Sequence, residues 1–487
     1  MKRRTLLSGA PCAALGSSSL MSTLLSLKMA NLAVADGLDT TQNDDRRTLV
    51  CVFLHGGIDS FNILVPRDDR HAEYAATRTD LAIPKGDLLA LNQAAGGDGG
   101  LYGLNPGTSA YRNLFNGLGG DPSRRRLSFI SNVGTLVEPT NLNGFRNDSV
   151  RLPRSLFSHS DQIEQWQTSV PQGMDRLSGW AGRVADVLHN EVNQDLTSMS
   201  LSFAGNNTFQ IGRQTSQFVM TNDGALSLSS HSWSDGHPSN VKNVALKSLM
   251  QQEYSHMMEK AFADFTDHSI GQQEFVQREF EGQDDLKLNT AFPGTGIARN
   301  LLAALKMIKL RPQLGLRRQT IFIGFGGWDM HAELLAPQQA RLAQLAPALE
   351  AFQLGLEELG LADSVITYTA SDFARTLVSN GGGSDHAWGG NQLVFGGPVD
   401  GGKVLGKFPS LALGDENILD VGRGGRLIPT TSVDQLYAEL LLWFGLSGSS
   451  NFDTVLPNLR NFYNLANLNP ADQSTYPLGF LRPGTFA

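Results

Sequence analysis

Apolar residues recur along this chain in two rhythms. Nearly unbroken apolar runs, rich in β-branched residues, occupy 48–54 (TLVCVFL), 127–133 (LSFISNV), 318–325 (RQTIFIGF) and 364–370 (SVITYTA). Runs of this kind suit strands buried on both faces of a parallel sheet. Residues 199–203, 209–211 and 392–395 are shorter strand candidates. Between them, apolar positions recur every three or four residues, which predicts helices over 109–118, 179–190, 246 to about 284, 296–310, 336–360 and 433–444. Pro347 falls inside the fifth of these and predicts a kink or two shorter helices. Residues 66–125 otherwise read as loop-rich. Residues 221–243, polar and carrying His231 and His237, read as an exposed loop. Strands alternating with amphipathic helices predict an α/β fold, with a mostly parallel central sheet and helices on both faces.

Composition narrows the picture. The chain has 487 residues, 41% apolar and 18% charged, with a net charge of −8. A globular protein with a sizeable core fits these values. Nucleic acid is excluded as a partner, because phosphate neutralisation needs clustered Lys and Arg; the longest basic run beyond the N-terminus is Arg124-Arg125-Arg126.

The N-terminus reads as an address. Lys2-Arg3-Arg4-Thr5-Leu6-Leu7 is a twin-arginine pattern, followed by a weakly apolar, Ser-rich stretch and by Ala33-Val34-Ala35 at cleavage spacing. The apolar stretch is interrupted at 16–19 and by Lys28, so it falls short of the ~20 residues a span requires. The expected organisation is therefore a signal over 1–35 and a flexible new N-terminus over 36–46. One α/β domain follows over 47–446, with an insertion at about 221–290, and the segment 447–487 wraps the surface. Export would engage the twin-arginine machinery, deliver the protein to the periplasm or beyond, and leave no stable membrane span. Cys12 would leave with the signal, and Cys51 sits in an apolar strand, so no internal disulfide is expected.

The candidate chemistry lies where strands give way to loops, the edge at which parallel sheets bind ligands. His55-Gly56-Gly57-Ile58-Asp59-Ser60 follows the first strand, Gly326-Gly327-Trp328-Asp329-Met330-His331 another, and Ser371-Asp372-Phe373-Ala374-Arg375 a third; Gly383-Ser384-Asp385-His386 comes next. Carboxylates and imidazoles suit divalent ions such as Zn²⁺ or Mn²⁺. Asp329 and His331, two apart, point the same way in an extended segment. Asp59, Asp329, Asp372 and Asp385 would repel one another in one crevice unless cations, two of them by charge, neutralised the set. Equally, Asp59 suits a helix N-cap or an Asx-turn. Arg375 would grip an anionic substrate bidentately or pair with one of the aspartates. Ser158-His159-Ser160-Asp161 opens a helix. Ser158 or Ser160 offers a nucleophile and His159 a ligand or a donor to phosphate, or else the motif is an N-cap with a surface histidine.

Taken in order with Ser178-Gly179-Trp180-Ala181-Gly182-Arg183 and the glycines from Gly396 to Gly406, these motifs resemble the domain-of-unknown-function 1501 family. Its members are twin-arginine-exported bacterial proteins placed in the alkaline phosphatase and sulfatase superfamily. The resemblance implies an alkaline-phosphatase-like α/β sandwich, with Asp59, Asp329, His331, Asp385 and His386 at positions similar to the superfamily's metal ligands. Asp372 stands where the family usually has Glu, one methylene longer, and Ala374 where it has Gly. No Cys-x-Pro-x-Arg pattern is present, which disfavours a formylglycine sulfatase, and the superfamily's nucleophile has no clear counterpart. Two functions follow as expectations. One is an exported metal-dependent hydrolase of phosphate or sulfate esters, with a two-metal site, Ser60 or Ser158 as nucleophile and Arg375 steadying the anion. The other is a non-catalytic exported protein of the same fold, serving assembly or envelope binding.

Overall fold

A computed structural model describes residues 45–173, 178–193, 198–226, 238–283, 286–414 and 417–485. The expected signal, Cys12, His231 and His237 lie outside these residues. Residues 46–487 form one unit.

Its centre is β1, Arg47–His55, buried at every position from Thr48 to Leu54. Successive side chains of a strand point to opposite faces, so this burial means that both faces are covered. A small antiparallel sheet comes next, from β2 (Leu64–Pro66), β3 (Leu89–Ala90) and β4 (Tyr102–Leu104). The remaining strands are β5 (Leu127–Gly134), β6 (Ser200–Ser202), β7 (Phe218–Thr221), β8 (Gly224–Ala225), β9 (Arg318–Gly326), β10 (Val365–Ser371), β11 (Gly390–Gly396), β12 (Val404–Leu405) and β13 (Thr431–Ser432). With β1 they build a ten-stranded sheet in the order β12-β5-β11-β10-β1-β9-β6-β7-β8, with β13 beside β5. β1 lies parallel between β10 and β9, and Cys51 stands opposite both Tyr368 and Phe322. On that face Trp180 stacks on Tyr437, ring centroids 4.4 Å apart, and both rings pack near Tyr368. Burial pushes the Cys51 thiol up to about 12, so it is an inert core group.

The fold is thus α/β with a mixed, mostly parallel sheet. The exceptions are β11, antiparallel to β10 and β5, and β8, antiparallel to β7. Residues 372–389 between β10 and β11 contain no crossover helix, so the chain turns back beside β10 instead of rising parallel to it. The returning loop is where much of the site lies.

Five local expectations are corrected. Helix Leu335–Glu358 runs through Pro347 as one piece. The stretch 246–284 is two helices, Pro238–Met250 and Met257–Glu281, so the expected loop also ends earlier, at residue 238. The Tyr254 hydroxyl donates to the Leu249 carbonyl at 2.8 Å, satisfying an acceptor the helix end would leave open. Lys247 then meets Glu274 at 3.0 Å, residues that one straight helix would hold about 40 Å apart. Residues 209–211 form no strand: their carbonyls accept from Gly179 and Gly182 at the start of helix Trp180–Val192. A Cβ on Gly179 or Gly182 would lie 2.1 Å from those oxygens, so glycine alone admits the contact. Residues 66–125 also include helix Arg70–Arg78.

Among the described residues, no helix is long and apolar enough to cross a membrane.

Candidate metal centre

The loops that leave β1 and β9, and the loop that joins β10 to β11, meet at one edge of the sheet. Glycine lets them approach. Gly56 has φ +118°, and a Cβ there would sit 2.5 Å from the Asp329 amide; a Cβ on Gly383 would sit 2.2 Å from the His331 carbonyl carbon. His159 joins them from the first turn of helix His159–Thr168.

The three histidines share one arrangement. Each Nδ1 faces an acceptor: Asp372 Oδ2 at 2.7 Å from His159, Asp385 Oδ1 at 3.1 Å from His331, and the Phe157 carbonyl at 2.8 Å from His386. An N–H on each Nδ1 makes those bonds and leaves each Nε2 with a lone pair. The three Nε2 atoms gather round Asp329. His331 Nε2 is 3.1 Å and His386 Nε2 3.3 Å from its Oδ1, and His159 Nε2 is 3.5 Å from its Oδ2. His331 Nε2 and His386 Nε2 are 2.9 Å apart. His159 Nε2 is buried without a hydrogen-bond partner. Metal–ligand bonds of about 2.0–2.2 Å put neighbouring donors roughly 3–3.5 Å apart, so these spacings fit donors arranged round a cation. His159, Asp329 and His386 can hold a metal ion together, their ligand atoms all within 4.8 Å of one another, and His331 Nε2 lies beside Asp329.

Charge agrees. Asp329, Asp372 and Asp385 set three formal negative charges against the buried Arg375, with Arg426 also near Asp385, so the site stays net negative and favours a cation. Asp329 is held below the usual carboxylate value: burial opposes this, but the hydrogen bond and charge of Arg375, with His159 and His331, outweigh it. The Asp372 hydrogen bond raises the pKa of His159 against its partial burial, whereas burial lowers that of His386.

Several expected roles change. The four aspartates do not line one crevice as a two-metal set. Only Asp329 faces the nitrogen lone pairs, while Asp372 and Asp385 stand behind histidines and orient them. Carboxylates so placed tune and aim imidazole ligands. Asp59 is buried and ion-paired with the equally buried Arg78 of helix Arg70–Arg78. It occupies the N-cap position of a short 3₁₀ turn, Ser60–Asn62, but its side chain makes no capping bond. Burial raises its pKa against the pull of Arg78. Ser60 is buried too; its Oγ accepts from the Asn391 amide at 2.8 Å and points into the core, not at the cluster. Ser158 is the N-cap residue of helix His159–Thr168, and its Oγ donates to Asp161 at 2.7 Å.

Arg375 cannot grip a substrate, because its side chain is wholly buried. Its donors go to the carbonyls of Gly57 (2.9 Å), Ser384 (2.9 Å), Gly56 (2.7 Å) and Trp328 (3.3 Å), and to Asp329. It fastens three loops and aims one carboxylate. Phe157 went unread in the sequence. It has φ +73°, a conformation costly for a bulky residue, and so turns its carbonyl toward His386. The Phe373 ring packs against His159 and His386, centroids 4.7 and 4.5 Å away. On the open side Asp329, His331 and Asp385 are about half exposed.

No curated protein matches this chain. Among solved structures it is similar to the crystal structure of Ps i-CgsB, with 8% identity over 88% of this chain and 78% of that one, at a TM-score of 0.31. The crystal structure of Ps i-CgsB in complex with k-i-k-neocarrahexaose matches over the same shares at 9% identity and a TM-score of 0.32. Likenesses at that level carry no argument about fold or activity. The family model described as "Protein of unknown function (DUF1501)" matches residues 134–423, more than half of the chain and a span holding all three histidines, Asp329, Asp372 and Asp385. The chain belongs to the DUF1501 family.

Proposed function

We propose that this protein is a metal-dependent hydrolase of phosphate or sulfate esters, exported by the twin-arginine route to the periplasm or beyond. One observation carries the catalytic reading: three imidazole Nε2 atoms converge on one aspartate, while every Nδ1 faces an acceptor of its own. Such a set repels itself unless a cation lies among it, and Zn²⁺ or Mn²⁺ suits its donors. A divalent cation would supply Lewis-acid polarisation of a phosphoryl or sulfuryl oxygen. The chain does the rest: Asp372, Asp385 and the Phe157 carbonyl fix the rings, Arg375 fixes Asp329, and the exposed side admits the ester. With Ser60 in the core and the hydroxyls of Ser158 and Ser160 both turned to Asp161, water is the attacking group.

That last observation also favours a second reading, in which the same cation is structural and the protein serves assembly or envelope binding without turnover. Elemental analysis of the purified protein, with a panel of aryl phosphates, phosphodiesters and aryl sulfates, separates the two. About one cation per chain, with turnover lost at least a hundredfold in Asp329→Ala, supports the hydrolase. A bound cation with no turnover supports the structural role, and no cation after loading with Zn²⁺ or Mn²⁺ removes both. For export, the twin-arginine pattern is the support. A reporter fused behind residues 1–40 should lose export when Arg3 and Arg4 become Lys.

A further inference from the structure

Beside the cluster lies a tight hairpin whose tip is Gly422-Arg423-Gly424-Gly425-Arg426. Its arms are joined by Val421 N–H to the Arg426 carbonyl at 3.0 Å and Ile428 N–H to the Leu419 carbonyl at 2.8 Å. Its tip is hydrogen-bonded to the loop after β10, through Leu377 and Val378 N–H to the carbonyls of Gly425 and Gly424. Four consecutive residues at the tip, 422–425, have positive φ, among them Arg423 at +55°. A non-glycine residue held there is strained, and such strain gathers at functional sites.

The two arginines have no carboxylate within ion-pair distance among the described residues. The Arg426 guanidinium lies over the Phe157 ring, 4.1 Å from its centroid, and its Nε is buried without a hydrogen-bond partner. Phe157 is also the residue whose carbonyl holds His386. Asp385, behind His331, feels the charge of Arg426. Arg426 is therefore stacked on an aromatic face at the edge of the metal centre, its planar donor fork uncommitted. Asp385 lies near enough to feel Arg426, but among the described residues neither arginine is ion-paired, and a guanidinium of this kind matches the paired oxygens of a tetrahedral oxyanion.

We propose that Arg426, assisted by Arg423, binds the phosphate or sulfate group of the substrate at the rim of this site, the role that the buried Arg375 cannot fill. The assignment deepens the hydrolase reading and rests on it for the identity of the substrate. Calorimetric titration of the full chain with inorganic phosphate and with inorganic sulfate tests it, alongside elemental analysis of the same samples. Saturable binding is expected in the unaltered protein. Arg426→Ala should weaken it at least tenfold with metal content unchanged, and Phe157→Leu, which keeps the carbonyl but removes the ring, severalfold. Arg426→Gln keeps the side chain's stem and guards against a misfolded alanine variant. Affinity in Arg426→Ala or Arg426→Gln within twofold of the parent overturns the inference, as does a parent protein that binds neither anion. Anion binding that needs Arg426 in a protein holding no metal would sink the hydrolase and leave this site standing.

Discussion

At the scale of single residues, the side chains behind the histidines matter as much as those in front. Asp372→Asn replaces the acceptor for His159 Nδ1 with an amide whose flip decides whether the ring is held. Zn²⁺ affinity, read by competition with a chromophoric chelator, should fall roughly 10–100-fold while the fold persists. Ser60→Ala should leave turnover intact and cost about 1–2 kcal/mol of stability in urea, because the buried Asn391 amide loses its acceptor. Loss of turnover in a folded Ser60→Ala protein would restore that serine as nucleophile. Asp329, His331, Asp385 and His386 were legible in the sequence as a gathering, because strand ends in one parallel sheet share an edge. For Arg375 the pairing with an aspartate was one of the two readings and it holds, with Asp329 as the partner; what stayed hidden for Asp59 and for the rest of the Arg375 fork was the other partners. Arg78 comes from a helix that the apolar pattern left as loop, and the carbonyls that bind Arg375 belong to three turns whose closeness no spacing reveals. His159 was only one of several readings of Ser158-His159-Ser160, since its neighbours in space lie some two hundred residues away.

At the scale of elements, apolar rhythm located strands and helices well and their interruptions poorly. Pro347 removes one hydrogen bond from helix Leu335–Glu358, yet buried neighbours at Leu345, Ala346, Ala348 and Leu349 keep the helix whole. Tertiary packing thus overrides the local penalty, and Pro347→Ala should recover part of it. The gain is up to about 3 kcal/mol, seen as a higher urea midpoint; a lower midpoint would show that the proline is accommodated without cost. The turn after β1 behaves oppositely. Gly56→Ala adds a methyl against the Asp329 amide at a positive φ, so the two loops must part. We expect a loss of about 1–3 kcal/mol together with weakened metal binding. Stability lost with metal affinity unchanged would mean that the loop approach does not govern the site.

At the scale of the whole molecule, the C-terminal segment is tied to the core by a buried acid. Glu439, in helix Val433–Phe444, accepts from the amides of Leu478, Gly479, Phe480 and Leu481. Burial pushes its pKa up to about 7, against the pull of those four donors. Asp434, buried in the same helix, is raised to about 6. A carboxyl whose value is higher folded than unfolded contributes stability that is complete below about pH 4 and is lost as pH rises through the folded value. Unfolding free energies from urea titrations should therefore decline from pH 5 to pH 8, by no more than about 2–3 kcal/mol from Glu439. Glu439→Gln should flatten that decline whatever its effect on absolute stability. An equally steep decline in the variant would assign the dependence elsewhere.

The buried guanidinium of Arg375 has one more consequence. Because a single side chain stitches together the turns after three strands, none of those turns can be exchanged alone. A chimera that imports one from a relative must also import carbonyls in register with that fork, or the stitch comes undone and the neighbouring turns drift. Swapping the three turns as a block should succeed where piecemeal grafts fail.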